Sequence, residues 1–428
     1  MNVPIGLNAD GTGCYDANMR GAVVLLAVIA VAGLAADPSR AASAAAVAAN
    51  ETGGGLFRAG TFPEAIAKFE EALALDPGFE LAQRNLATAL ATRGQEELRS
   101  GNLDDARSHL ERSVDLAPAA APFHLLLGVL HFRRGDLYEA RRRIDRSLEL
   151  APELAEAREL SGDLHYQEGS LERARGEWER ALASAGSQKH SLRAKLDRVA
   201  RELSAEGGFG RDVSRHFTIQ YDGPVPREVA RTALRLLEQA YDRLWRDFGR
   251  SPQHDVPVIL YSRGLFDEIT RSPGWVGGTY DGKIRVPVGG LQTEGDAQRL
   301  APVLAHELAH AFIRANVPGR LPLWFEEGLA GHFEGTLPET ALHTLRAAGG
   351  GFASLEDVST ALRGGTRVEA AYAAAALAVN EMVRLDGFWL PSRTLDMMAT
   401  GRSFAEAFHD AAGMELTEFE ERWARAQR

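Results

Sequence analysis

The strongest constraint in this sequence is a period. Four turns beginning with glycine recur as Gly60-Thr-Phe-Pro-Glu-Ala65, Gly101-Asn-Leu-Asp-Asp-Ala106, Gly135-Asp-Leu-Tyr-Glu-Ala140 and Gly169-Ser-Leu-Glu-Arg-Ala174, the last three starting 34 residues apart. Seventeen residues after each of the first three glycines stands a proline (Pro77, Pro118, Pro152), and Gly186 takes that place in the fourth unit. Between the markers, residues such as Ala65, Ile66, Phe69, Ala72 and Leu73 follow the three- and four-residue spacing of one helical face. Such a face needs a neighbouring unit to cover it, so the pattern demands a stack of like helix pairs. The first spacing, from 60 to 101, exceeds the period by seven residues, two helical turns that a lengthened helix over Leu81 to Ser100 accommodates.

This pattern resembles the tetratricopeptide repeat, a helix-turn-helix whose small residues permit close packing and whose proline ends the second helix. The resemblance implies an all-α solenoid over residues 51–205, closed by a helix over Leu192 to Leu203, that binds a peptide or a protein partner. A rigid spacer for the following domain is the alternative, since repeats do not name a ligand.

Composition narrows the remaining classes. Lys and Arg number 48 against 59 Asp and Glu, a net charge of −11, the wrong sign for a nucleic-acid binder held by phosphate neutralisation. No nucleic acid is expected as a partner. The single cysteine, Cys14, provides neither an internal disulfide nor a thiolate zinc site, so a bound metal must use His, Asp and Glu. Cys14 precedes the apolar run Gly21 to Ala36, which is short for a membrane span of ~20 residues and fits a signal-peptide core. Translation is expected to start at Met19, and small residues offer cleavage after Ala35, Ala36 or Ala44. A periplasmic or secreted protein follows, with a retained N-terminal membrane anchor as the alternative. The expected division is a leader over 1–36, a linker over 37–50 in which Ala41 to Asn50 reads as linker or first helix, repeats over 51–205 and a second domain over 206–428.

In that second domain strands and helices alternate: a strand over Phe217 to Tyr221, an amphipathic helix over Arg227 to Phe248 and a strand over Val256 to Tyr261. Trp275 to Tyr280 and Lys283 to Val288 flank Asp281-Gly282, a hairpin signal, and Pro287 suggests that the second strand lies at a sheet edge. From Asp296 the pattern is helical, giving an α+β unit.

The chemistry lies in His306-Glu307-Leu308-Ala309-His310. Two histidines four residues apart share one helix face and can ligate one Zn²⁺, with the intervening glutamate beside the open position. Leu304, Leu308, Ala311 and Phe312 form a second, apolar face for packing. Downstream stands Leu321-Pro-Leu-Trp-Phe-Glu-Glu327-Gly-Leu-Ala330. Together these segments resemble the gluzincin metallopeptidases, especially the bacterial peptidase-MA-like group that often carries tetratricopeptide repeats in front. The resemblance covers roughly residues 210–390. It implies a zincin-like α+β fold and a zinc site of His306, His310 and Glu327, with Glu307 as the acid/base of peptide hydrolysis by a metal-activated water. Glu326, ~100° away around the helix, would point aside, and Glu334 is a candidate carboxylate behind the ligands. An oxyanion donor on a downstream helix is part of the family pattern, and Tyr372 is the candidate, a groove or core tyrosine being the alternative. His332 and His343 are expected outside the ligand set. The Gly-x-Met-x-Asn motif of the large aminopeptidases of this clan is absent, Gly277-Gly278-Thr279-Tyr280 standing in its place. An endopeptidase acting on peptide or protein substrates is therefore favoured. A cell-envelope adaptor with a slow or structural zinc domain, or a metal-dependent hydrolase of another bond, are the alternatives.

Overall fold

The computed structural model describes residues 42–184, 189–206, 208–252, 255–270, 277–317, 321–364 and 367–427. The leader and Met19, together with Cys14, Gly186, Gly207 and Trp275, lie outside the described residues. Two compact units divide the rest: residues 42–164 with 180–184, and residues 165–179 with 189–427.

The first unit is built of helix pairs: α1 (Ala44–Arg58) with α2 (Phe62–Leu75), α3 (Glu80–Ser100) with α4 (Leu103–Leu116), and α5 (Ala121–Arg133) with α6 (Leu137–Leu150). Helix α1 begins inside the 37–50 stretch, so residues 44–50 are helical. Helix α3 has 21 residues against 13 in α5, which absorbs the long first spacing. Next in the chain come α7 (Ala155–Gln167), α8 (Leu171–Ser184) and α9 (Lys189–Glu206), the last longer at both ends than the sequence pattern suggested.

Two sets of glycines explain the period. Gly60, Gly101, Gly135 and Gly169 make the turns at φ between 72° and 88°, the left-handed region open to glycine at little cost. A second set lies seven residues earlier, where the paired helices press together. A Cβ on Gly94 would fall 2.7 Å from Leu110 Cγ and one on Gly128 2.8 Å from Ile144 Cγ1. The helices α2, α4 and α6 end one residue before Asp76, Ala117 and Ala151, which directly precede the phase-locked prolines.

In the second unit a five-stranded sheet has the order β1-β2-β3-β5-β4. Its strands are β1 (Gly210–Val213), β2 (Phe217–Tyr221), β3 (Val256–Tyr261), β4 (Thr279–Tyr280) and β5 (Ile284–Pro287). β2, β3 and β5 run parallel, and β1 and β4 pair antiparallel at the two edges. The expectation that Pro287 marks an edge strand is corrected: β5 is an inner strand. Proline is tolerated because it is the last residue of the strand, opposite Tyr261, and the next amide, Val288, donates to the Tyr261 carbonyl at 2.8 Å. β1 was not foreseen, since Gly-Arg-Asp-Val carries no alternation.

Period-two alternation gives β3 two buried faces. Val258 and Leu260 face a large core with Phe217, Ile219 and the apolar side of α10 (Arg227–Phe248), while Ile259 and Tyr261 meet Phe266 and Ile269 of α11 (Arg263–Thr270). A short α12 (Glu294–Ala297) leads to α13 (Ala301–Asn316), whose Leu304, Leu308 and Phe312 join that core. The remaining helices are α14 (Leu323–Glu334), α15 (Pro338–Ala347), α16 (Leu355–Leu362), α17 (Val368–Asp386), α18 (Trp389–Met398), α19 (Phe404–Ala412) and α20 (Leu416–Ala426). Among the described residues no helix is long and apolar enough to cross a membrane.

Gly128→Val tests the close approach within the third pair. Valine there must displace Ile144, so the repeat should lose about 1–3 kcal/mol, as overpacked cores do, read as a lower urea midpoint at unchanged slope. An unchanged midpoint would show that the pair has room to spare.

Candidate metal centre

Helix α13 starts with Pro302 in its first turn and packs its Leu304/Leu308/Phe312 face into the core. That fixes the rotation of the helix and turns His306 and His310 toward α14. Both histidines are buried, as are Glu307 and Glu327. Gly328 and Gly331 let α14 lie close on α17: a Cβ on Gly328 would overlap the Ala375 carbonyl, and one on Gly331 would fall 3.1 Å from Ala376 Cβ.

The result is a convergence of three donor atoms. His306 Nε2 lies 3.5 Å and His310 Nε2 3.7 Å from Glu327 Oε2, and one ligand atom from each residue falls within 4.8 Å of the others. Neither His306 Nε2 nor Glu327 Oε2 has a hydrogen-bond partner, although both are buried. Unmet polar atoms in a dry site are costly, and a cation between them would satisfy both. Donors bonded at ~2.1 Å around a tetrahedral zinc sit ~3.4 Å apart, close to the spacing found. Two imidazole nitrogens and one carboxylate oxygen suit Zn²⁺ in a site that keeps a position open. The residues fit the ion.

The surrounding carboxylates take distinct places. His306 Nδ1 is 3.2 Å from Glu334 Oε2, a hydrogen bond that puts the proton on Nδ1 and leaves Nε2 to coordinate. Glu326 Oε1 stands 3.4 Å from His310 Nδ1 and 3.8 Å from Arg314 Nε. Burial works against its charge, but His310 and Arg314 outweigh that and hold its carboxyl down at about 2. Burial also disfavours a charged His306, yet the neighbouring Glu327 and Glu334 prevail and raise its pKa to about 10 without metal. Desolvation pushes Glu307 up to about 7 against the pull of His306 and His310. Its Oε1 has no hydrogen-bond partner and is walled by backbone: a Cβ on Gly278 would fall 2.9 Å from Glu307 Oε1 and 2.8 Å from Val303 Cγ2. The sequence did not single out Gly278 for this contact; its signals were a glycine pair ahead of a hairpin and the place of that segment opposite the aminopeptidase Gly-x-Met-x-Asn motif.

Tyr372 lies on α17, half-buried against the core. It precedes Ala375 and Ala376 by one turn, which places it on the face that meets α14. His332 Nδ1 pairs with Asn380 Oδ1 at 2.9 Å, its ring stacked on Phe388, and His343 is exposed. Neither belongs to the three-residue group.

Comparison with known proteins identifies the repeats. The family model described as tetratricopeptide repeat matches residues 55–97, 91–141 and 135–190, so this region is an array of tetratricopeptide repeats. Solved structures similar to the chain include the first such repeat of Spaghetti (RPAP3) bound to an HSP90 peptide, at 19% identity over 28% of this chain and 93% of that one, TM-score 0.26. The Pseudomonas aeruginosa pilF structure matches at 18% identity over 37% and 90%, TM-score 0.27. The P58(IPK) TPR domain matches at 14% over 90% and 99%, TM-score 0.18. No curated protein matches the chain. The family matches end at residue 190, well before the metal centre.

Zinc should bind at about one ion per chain, and the two adjacent glutamates should differ. Glu327→Ala should lose the ion on dialysis while Glu326→Ala retains it, measured by elemental analysis. Coordination requires the His306 proton to leave, so affinity should fall as the pH is lowered. Zinc retained by Glu327→Ala and lost by Glu326→Ala would reassign the third ligand.

Proposed function

We propose that the protein is a zinc-dependent metallopeptidase of the gluzincin, peptidase-MA-like type. It acts as an endopeptidase, with a zincin-like domain behind a tetratricopeptide array that holds a protein partner or the substrate. The observation that supports this most is the meeting of His306, His310 and Glu327 around unmet buried donor atoms, with Glu307 buried beside them. An adaptor with a purely structural zinc would have no use for an acid/base residue between its two histidines.

Zinc supplies Lewis-acid activation of water and of the scissile carbonyl. The chain's own groups do the rest. Glu334 holds the His306 ring so that Nε2 faces the ligand side. Glu307, whose pKa burial pushes up to about 7, accepts a proton from the attacking water and delivers it to the leaving amine. The Gly278 wall limits access to that oxygen, which keeps the carboxylate dry. Tyr372, on the α17 face toward α14, is the candidate donor to the developing oxyanion. The apolar run over 21–36 supports export, which puts the substrates in the periplasm or outside the cell.

The zinc-loaded protein should cut members of a diverse peptide library, read by mass spectrometry. Glu307→Gln should abolish the cuts while keeping its zinc, and failure of the wild type to cut any peptide would leave the adaptor reading. Tyr372→Phe should lower kcat by ~10² at unchanged zinc content, as loss of one oxyanion donor does. An unchanged kcat would return Tyr372 to the core.

A further inference from the structure

The second unit contains another buried cluster of charge, built from residues the reaction does not use. Arg285 on β5 is fully buried, and Glu202 on α9 and Lys283 are 1% and 2% exposed. Arg285 donates to Asp281, to Tyr166 Oη at 2.7 Å and to Glu202 at 3.2 Å. Tyr166 itself donates to Glu202. Arg198 donates to Asp281 and, at 3.2 Å, to Glu202. Lys283 Nζ lies 3.6 Å from Glu202 and 4.2 Å from the centre of the Tyr166 ring. Burial tends to neutralise Glu202, but Arg285, Lys283 and Arg198 overcome it and hold its carboxyl at about 2.

Two buried cations, Arg285 and Lys283, and two buried carboxylates, with the partly exposed Arg198 beside them, are a poor source of stability, because each must find every partner in place. They are instead demanding about geometry. Asp281, Gly282 and Lys283 form the tip of the β4–β5 hairpin, and Gly282, at φ 101°, turns against Gln167, whose Cγ would lie 3.3 Å from a Cβ there. The tip is thereby held by the end of α7 and by α9. Gly278, directly before β4, is the wall beside Glu307 Oε1. Only two residues of β4 separate the ion cluster from that wall, a lever too short to absorb a shift at the tip.

We propose that Tyr166, Glu202 and Arg285 are positioning residues for Glu307. Together they seat the β4–β5 hairpin so that Gly278 stands against the proton-transfer carboxylate, and the part of the fourth repeat over 165–179 thereby serves as scaffold for the cleft. The catalytic half of this statement rests on the peptidase function proposed above. The seating of the hairpin stands on the geometry alone.

The test uses the full-length, zinc-loaded protein and its Glu202→Gln, Tyr166→Phe and Gly278→Ala variants, with the Glu202/Gly278 double variant. Glu202→Gln should lower kcat by ~10-fold or more with KM within ~3-fold and zinc content unchanged, since misplacement of a reacting group costs rate rather than binding. Tyr166→Phe, a milder change that keeps the ring, should act in the same direction and stands in if the first variant folds poorly. Glu202→Gln and Gly278→Ala should be non-additive in kcat because both act through the same wall. Independently of activity, amide hydrogen exchange over residues 277–287 should speed up in Glu202→Gln and Tyr166→Phe while α13 keeps its protection. Unchanged kcat together with unchanged hairpin exchange in both variants would overturn the proposal. If the wild type cuts no peptide, the peptidase reading fails, and exchange over 277–287 alone decides: faster exchange confined to the hairpin supports the seating, and unchanged exchange refutes it.

Discussion

A carboxylate buried between two imidazoles is the interaction on which the rest of this structure depends. Glu327 Oε2 is brought to 3.5 and 3.7 Å from the two Nε2 atoms and left without a hydrogen bond. Stripping an ion of water costs several kcal/mol, so the arrangement persists only with a compensating positive charge. Without metal, the neighbouring carboxylates raise the pKa of His306, so a protonated imidazole would meet part of that need. A divalent cation meets all of it and joins the three atoms at one point.

Holding the carboxylate there is a packing problem solved by small residues. Glu327 reaches α13 because α14 is pressed between α13 and α17, with glycine at 328 and 331 facing alanine at 375 and 376. The alanines of α17 from 370 to 376 are buried almost throughout, and Trp423 anchors the helix from behind by donating to the Ala374 carbonyl at 3.1 Å. A larger side chain at Gly328 would collide with the Ala375 carbonyl and Val379 of α17, so α14, and Glu327 with it, could not keep this place. The same economy of space recurs at Gly278, where the Val303 and Glu307 side chains fill the volume a Cβ would need.

The features legible in the sequence were those governed by local periodicity. The repeat register could be read because a left-handed turn demands glycine and a helix end admits proline, and the structure supplies both reasons. The juxtaposition of His306 with His310 follows from one helix, and Glu327 was placed through its family resemblance. What could not be read depended on tertiary context. β1 is a strand only because β2 offers it an edge, and β5 lies inside the sheet although it ends in proline. The grouping of residues 165–179 with the second unit follows from Tyr166 meeting Glu202 and Arg285, residues separated by 36 and 119 positions in the chain. Charged residues on helices read as solvated faces in a sequence, and nothing in their spacing announces burial.

X-ray absorption at the zinc edge of the loaded, full-length protein counts and types the atoms around the ion. Two imidazole nitrogens with carboxylate and water oxygens at ~2.0–2.2 Å are expected, with one imidazole fewer in His310→Ala. An all-oxygen shell, or a spectrum unaltered by that substitution, would place the metal elsewhere and contradict the assignment of this site.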